Sequence, residues 1–323
     1  MTEIVIGSRG SALALAQTNW VAEKIKLHNP GIETRVEIIR TKGDKILDTP
    51  LAKIGDKGLF VKEIEIALAE GLIDVAVHSL KDLPSEMTAG LMIGAVPPRA
   101  DPSDVLLSYH GRLSDLPSGS KIGSSSLRRK AQLAHFRPDL EFHDLRGNLD
   151  TRIRKLQAGE YDAIVVACAG LQRLDWNGKA DVGAGPAVEK IPFEICLPAV
   201  GQGALAVQIR ESDTSTAGMV APLDDKPTRA AVTAERVLLA ALGGGCQAPI
   251  AALAVPDGDS LVLNAMAASL DGSELVRASE TDRMTDAAAL GERTARVLLD
   301  GGAREILAEV RERVATEFGR YED

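Results

Sequence analysis

Short, unbroken apolar runs recur along this chain, each stopped by a turn and followed by a stretch with helical spacing. Ile4-Val5-Ile6 ends in Gly7-Ser8-Arg9-Gly10-Ser11, after which residues 12–28 keep a helical period until Asn29-Pro30-Gly31 stops them. Residues 34–40 alternate as a strand does, 60–69 have helical spacing, and 73–77 read as a buried strand. That strand runs into His78-Ser79-Leu80-Lys81-Asp82-Leu83-Pro84, whose proline ends it. The pattern restarts after Pro97-Pro98 and Asp101-Pro102, where Lys121-Ile122-Gly123 enters Ser124-Ser125-Ser126 and a helix beginning Leu127-Arg128-Arg129-Lys130. Residues 140–145 and 161–167 are further strands, with Arg146-Gly147-Asn148 and a helix to residue 158 between them. Strands alternating with helices predict largely parallel sheets that bind ligands at the carboxyl ends of their strands. The Gly-Ser turns at 7–11 and 123–126 predict two similar α/β domains.

At 323 residues the chain has room for more than one core. Residues 204–209 read as a strand able to rejoin the first sheet. From Lys226 the chain becomes Ala-rich helix, 228–242, and then a Gly-rich loop carrying Cys246. Strands at 250–255, 261–267 and 274–279 and helices at 286–299 and 303–318 follow, which predicts a small closing α+β domain.

Charge narrows the partners. Lys and Arg number 37 against 46 Asp and Glu, a net −9, and only ten residues are aromatic, which argues against nucleic acid and anionic membranes. The cations are not evenly spread. Residues 1–160 hold 22 Lys and Arg against 21 acids, whereas 161–323 hold 15 against 25, so a local anion site is expected in the first half. Cys168, Cys196 and Cys246 form neither a CxxC pair nor a disulfide framework, and no His/Cys/carboxylate set has metal-ligand spacing, so no metal is expected. The longest uncharged run, 237–256, is broken by glycines and a proline and is no membrane span. The opening Met-Thr-Glu-Ile-Val-Ile has no signal-peptide character, and the cytoplasm is the expected location.

The chemistry-bearing residues cluster at the predicted strand ends. Gly7–Ser11 and Gly123–Ser126 put small residues at strand-to-helix turns, where backbone N–H groups and hydroxyls favour an anion or, equally, a serine simply caps the helix. Walker A and GxGxxG patterns are absent, so nucleotide binding has no support. Arg9, the pair Arg128 and Arg129, Arg146 with Arg152, and Arg173 come from four separate loops. Arginines in the first turn of a helix oppose its dipole unless an anion compensates, and the set points to a ligand with several carboxylates or phosphates. Asp82, at the end of a buried strand beside Lys81, suits a developing cation or a proton transfer, although a salt bridge or cap explains it as well. His78 reads as a satisfied core or second-shell histidine, and Cys168 as a small buried hydrophobe. Cys246, uncrowded after Gly243-Gly244-Gly245, is a candidate reactive thiol.

These segments, in unbroken order over nearly the whole chain, resemble the porphobilinogen deaminase (hydroxymethylbilane synthase) family. The resemblance rests on Gly7–Ser11 with Leu13–Gln17, Thr41–Asp44, Lys57–Glu63, His78–Pro84, Gly123–Arg129, and Leu145–Asn148 with Thr151-Arg152. Ala169–Leu174, Leu197–Ala204 and Gly244-Gly245-Cys246-Gln247-Ala248-Pro249 complete it. It implies a transferase of tetrapyrrole (haem- and chlorophyll-type) biosynthesis that joins four porphobilinogen molecules with loss of ammonia and hydrolyses the product to linear hydroxymethylbilane. It implies a dipyrromethane cofactor held by a thioether to Cys246 and a catalytic carboxylate at Asp82. Ser79, Lys81, Asp82, Ser124, Ser126, Arg128 and Arg129 would hold the cofactor. Arg9, Ser11, Gln17, Arg146, Arg152 and Arg173 would hold the substrate and growing chain, and Lys53, Lys57 and Phe60 would lie on a loop over the cleft.

The implied fold is α/β, with two periplasmic-binding-protein-like doubly wound domains plus a small C-terminal α+β domain. The expected boundaries are 1–98 with 197–220, then 99–196, then 221–323, in a monomer. Departures from the family pattern are small: Ala12 stands where proline is frequent, Ser124 where threonine is, and Asp56 where the loop often has glycine. The competing reading is a non-catalytic binding protein for a polycarboxylate, built on the same cleft.

Overall fold

The computed structural model describes residues 3–45, 61–176, 185–244 and 248–318. Lys53, Lys57, Phe60 and Cys246 lie outside the described residues. The chain begins with β1 (Glu3–Ser8), α1 (Ala12–His28), β2 (Glu33–Ile38), α2 (Lys62–Ala69), β3 (Val75–Ser79) and β4 (Leu91–Ala95). There follow β5 (Asp104–Ser108), β6 (Lys121–Gly123), α3 (Leu127–Phe136), β7 (Glu141–His143), α4 (Leu149–Gln157), β8 (Ala163–Ala167), α5 (Cys168–Arg173) and β9 (Ala187–Lys190). The rest comprises β10 (Leu205–Arg210), α6 (Thr214–Val220), α7 (Lys226–Ala241), β11 (Ile250–Asp257), β12 (Ser260–Ala268), β13 (Leu275–Arg283), α8 (Ala287–Leu298) and α9 (Arg304–Phe318).

Two five-stranded sheets share one plan. Their orders are β2-β1-β3-β10-β4 and β7-β6-β8-β5-β9. In the first, β1 runs parallel to β2 and β3, while β10 is antiparallel to β3 and β4. The second repeats this, with β6 parallel to β7 and β8, and β5 antiparallel to β8 and β9. The sheets are therefore mixed rather than largely parallel. The physical reason is that β10 and β5 do not arrive through a crossover helix within their own sheet; each enters directly from a chain passage between the sheets. Both faces of each sheet are covered. Val21 and Ile25 of α1 pack with Ile6, Val75 and Val207 on one face of the first, and Ile64 and Leu68 of α2 with Ala76 on the other. Leu133 of α3 and Ile153 of α4 do the same for the second.

The third unit is an antiparallel sheet, β11-β12-β13. Leu238 of α7 and Leu290 and Leu298 of α8 cover one face, against Ala252, Leu261 and Leu263. Ala251, Leu253 and Met266 on the other face pack on Ala131 of α3 and on Leu197. The approach is close: Gly272 (φ 75°) sits where a Cβ would collide with the Ala131 carbonyl oxygen, and its own carbonyl lies 2.8 Å from His135 Nδ1.

The two passages between the large sheets, residues 96–103 and 191–204, are tied together by one buried ion pair. Arg99 Nη1 donates to Glu235 Oε1 of α7 at 2.5 Å and Arg99 Nε to the Gln202 carbonyl at 2.8 Å. Glu235, fully buried, also accepts from Gly201 N at 2.7 Å and Ala254 N at 2.9 Å. Glu235→Gln keeps the shape but turns charge-assisted bonds into neutral ones and sets one amide hydrogen against a donor. It is expected to cost about 2 kcal/mol, read as a lower midpoint of thermal unfolding against wild type.

Candidate active site

The carboxyl ends of β1 and β3 lie on the same edge of the first sheet because the strands are parallel. After β1, Ser11 caps α1, its Oγ accepting from Ala14 N at 3.2 Å. After β3, the chain makes a tight turn, Leu80–Asp82, fixed by Leu80 N donating to Ala204 O at 3.0 Å and by Leu83 N donating to Leu80 O at 3.1 Å. These turns make one pocket, lined by Arg9, Ser11, Gln17, His78, Ser79 and Asp82. Gln17 and Ser79 bond each other across it, Nε2 to Oγ at 3.0 Å. The resemblance named five of these residues, Arg9, Ser11 and Gln17 for substrate and Ser79 and Asp82 for cofactor; His78, read as a satisfied core or second-shell histidine, is buried with Gln208 as its partner.

The second wall is the matching edge of the other sheet. Ser124 and Ser126 belong to the turn from β6 to α3: Ser124 Oγ accepts from Ser126 N at 3.3 Å, and Ser126 Oγ caps the helix at Arg129 N, 3.4 Å. Both serine turns thus act as caps. Arg128 and Arg129, 5% and 6% exposed, turn inward onto Asp104, the fully buried first residue of β5. Arg128 Nη1 donates to Asp104 Oδ2 at 2.7 Å, and Arg129 Nη2 and Nε to Oδ1 at 2.6 and 3.0 Å. This corrects the simplest form of the helix-end argument. Part of the anion that tolerates two arginines at a helix start is a protein carboxylate, which sequence reasoning missed; its signal was an acid placed directly before an apolar strand and after Asp101-Pro102. Burial alone would raise the Asp104 pKa, but the charges of Arg128 and Arg129 outweigh it and hold the carboxyl well below the usual range.

Two guanidiniums against one carboxylate leave surplus positive charge. Among the described residues Arg128 Nε is buried with no hydrogen-bond partner. Other cations share the strain. Lys81 is lowered to about 8 by burial, with Asp82 opposing and Arg129 adding to the drop. Arg152 is lowered to about 10 by burial first, then by Arg129 and Arg146, with Asp82 opposing. Burial lowers Arg173 to about 10 and also lowers Arg146. Cations desolvated without full compensation form a site for an anion, and several of them form a site for a polyanion.

The walls meet through Gln202. Lys81 Nζ donates to Gln202 Oε1 at 3.4 Å, and Gln202 Nε2 donates to Asp104 Oδ1 at 2.9 Å. Arg152 Nε donates to the carbonyl of Gly147 at 2.8 Å, whose φ of 110° turns the chain into α4. Arg173 ends α5 rather than lying in a loop, because residues 168–173 are helical, and its Nη2 donates to Gly203 O at 2.7 Å. Gly170 of α5 lies against Leu13 of α1, which brings Arg173 toward the Arg9 wall. The flanks of the Gly-rich loop adjoin the same region: Ala252 N of β11 donates to Pro198 O at 3.3 Å, one residue beyond the Leu197 carbonyl that accepts from Arg128 Nη1 at 2.6 Å.

Fold and site define an α/β protein of two mixed-sheet domains and a small third unit, with cationic side chains gathered at the strand ends of both large sheets and Asp82 among them. Residues 4–218 match the family model described as porphobilinogen deaminase, dipyromethane cofactor binding domain, and 229–300 match the porphobilinogen deaminase C-terminal domain. The porphobilinogen deaminase of Moorella thermoacetica is 52% identical over 323 residues, covering all of both chains, and that of Desulforudis audaxviator 51% identical over 310, covering 96% of this chain and 98% of the other. The chain belongs to the porphobilinogen deaminase family. Among solved structures, the BenM effector binding domain with benzoate covers 68% of this chain and 88% of its own at 13% identity, with a TM-score of 0.42. Among the described residues no helix is long and apolar enough to cross a membrane.

Proposed function

We propose that this chain carries out the reaction of its family, joining four porphobilinogen molecules head to tail with release of ammonia and hydrolysing the product to a linear tetrapyrrole, as a monomer in the cytoplasm. The observation that carries this reading is Asp82, set in the Arg9 pocket and electrostatically coupled to Lys81 and Arg152. Each pyrrole of such a ligand bears two carboxylates, which suits the surplus cations on both walls.

The residues fit a dipyrromethane: the uncompensated charge of the Arg128–Arg129–Asp104 group and the orphaned Arg128 Nε suit its carboxylates. In this assignment Ser79, Lys81, Ser124, Ser126, Arg128 and Arg129 hold it, with Cys246 as its covalent anchor. When bound, it supplies the free α-carbon from which the chain grows. Arg9, Ser11, Gln17, Arg146, Arg152 and Arg173 take the carboxylates and edges of the substrate rings. When the bond to the aminomethyl nitrogen breaks, ammonia leaves with the electron pair and positive charge spreads onto the ring nitrogen. The Asp82 carboxylate neutralises that charge and then accepts the proton displaced as the new carbon–carbon bond forms.

Purified protein is expected to weigh one dipyrromethane more than its sequence, and Cys246→Ser to lose that excess in intact-mass spectra. Incubation with porphobilinogen is expected to release ammonia. Unmodified yet active protein would refute the anchor, and binding without ammonia release would favour the polycarboxylate-binding alternative.

A further inference from the structure

The turn that carries Asp82 is gripped on both sides by neighbouring residues of α7. On its near side, Leu80 N donates to Ala204 O at 3.0 Å, Ala204 N to Gly201 O at 3.1 Å, and Gly201 N to Glu235 Oε2 at 2.7 Å. Gly201, at φ 71°, leaves the place of a Cβ to the Leu80 side chain. On its far side Arg236, the next residue of α7, reaches the chain just past the carboxylate. Its Nη2 donates to Pro84 O at 2.7 Å and to Ser85 O at 2.9 Å, and lies 3.7 Å from Met87 Sδ. Between the two grips Leu83 N donates to Leu80 O at 3.1 Å, and the Pro84 ring fixes its own φ.

The helix that holds both grips is firmly seated. Leu238 is fully buried, and Gly291 of α8 comes so close that a Cβ there would collide with the Ala234 carbonyl oxygen. α7 ends at Ala241, five positions before Cys246. Burial lowers the Arg236 pKa, as it does for any cation drawn partly out of water, and charge-assisted bonds to two successive carbonyls offset that desolvation only while the chain at 84–85 stays in place.

We propose that Arg236 is a positioning residue for Asp82, clamping the chain beyond the carboxylate to α7 so that the acid keeps a fixed place relative to the helix that leads to Cys246. Displacing a reacting group by about 1 Å can cost about a hundredfold in rate, so the clamp has a kinetic reading.

That reading rests on the function proposed above, which Asp82→Asn alone tests; the clamp is tested without activity, by hydrogen exchange. In Arg236→Met holoenzyme, peptides covering residues 80–87 are expected to exchange faster than in wild type, the Leu83 amide included. With the intact mass unchanged, kcat is expected to fall about tenfold and KM less than twofold. Arg236→Lys, which keeps a charged donor, should recover part of that loss and serves if the methionine variant fails to fold. The decisive comparison adds each substitution to Asp82→Asn. Acting through Asp82, Arg236→Met should leave the residual turnover of Asp82→Asn within about twofold. The same tenfold loss in both backgrounds would show a general structural role and overturn the proposal, as would wild-type exchange at 80–87 or a wild-type kcat in Arg236→Met.

Discussion

Asp82→Asn is expected to keep the covalent cofactor and lose about a hundredfold or more in turnover, the range for removal of a positioned acid–base or charge-stabilising group. The turn that carries Asp82 is held by backbone bonds, Leu80 N to Ala204 O and Leu83 N to Leu80 O, so the amide variant should fold and present the same shape. What disappears is charge. Asp82 opposes the lowering of both Lys81 and Arg152, so its loss leaves those cations less compensated, and substrate carboxylates should bind no worse. The effect should therefore fall on kcat rather than KM, measured by ammonia release, with an unchanged intact mass beside it. Near-normal turnover would remove Asp82 from the chemistry.

The second large effect is expected at Asp104. Asp104→Ala leaves two buried guanidiniums facing each other without their carboxylate and strips Gln202 Nε2 of one acceptor. Removing one partner from a buried charge group costs about 3–5 kcal/mol, so the variant should unfold at much lower temperature than wild type and lose cofactor occupancy in intact-mass spectra. The pH dependence has a definite sign. Because the folded state holds this carboxyl below its unfolded value of about 4, its stabilisation is complete above that pH and fades as acid takes the folded value. Asp104→Asn, melted between neutral and acid pH, should show a shallower acid loss than wild type. An equally steep loss would mean that the pair does not depend on this charge.

The lattice of elements was largely legible, because buried strands and capped helices announce themselves through apolar runs and Gly-Ser turns. Residues 12–28, for instance, form α1 with the expected serine cap. The strands that were missed, β4, β5 and β9, are not followed by a helix of their own, so the alternation that marks β1, β6, β7 and β8 is absent there. Of the candidate site, Arg9, Asp82 and the Arg128–Arg129 pair were legible as charged groups at strand ends. Its supports were not. Asp104, Gln202 and Glu235 act across more than 60 residues of chain, Asp104 with Gln202 and Glu235 with Arg99, and nothing in local spacing announces a buried carboxylate whose partner lies in a distant passage of the chain. His78, read as a satisfied core or second-shell histidine, is buried against Gln208 and linked through it to Glu65, partners that its local sequence does not announce.

The chain crosses between its two large sheets twice, through residues 96–103 and 191–204, and Arg99 with Glu235 fastens the crossings side by side. A single tether would let one half wobble about any axis. Paired tethers leave one soft degree of freedom, a swing about the line that joins them, and stiffen every torsional alternative. A swing of that kind would change the spacing between the Asp82 edge and the Arg128–Arg129 edge while keeping the two rows of side chains in register, the compliance a vessel needs if its contents are to grow by equal increments.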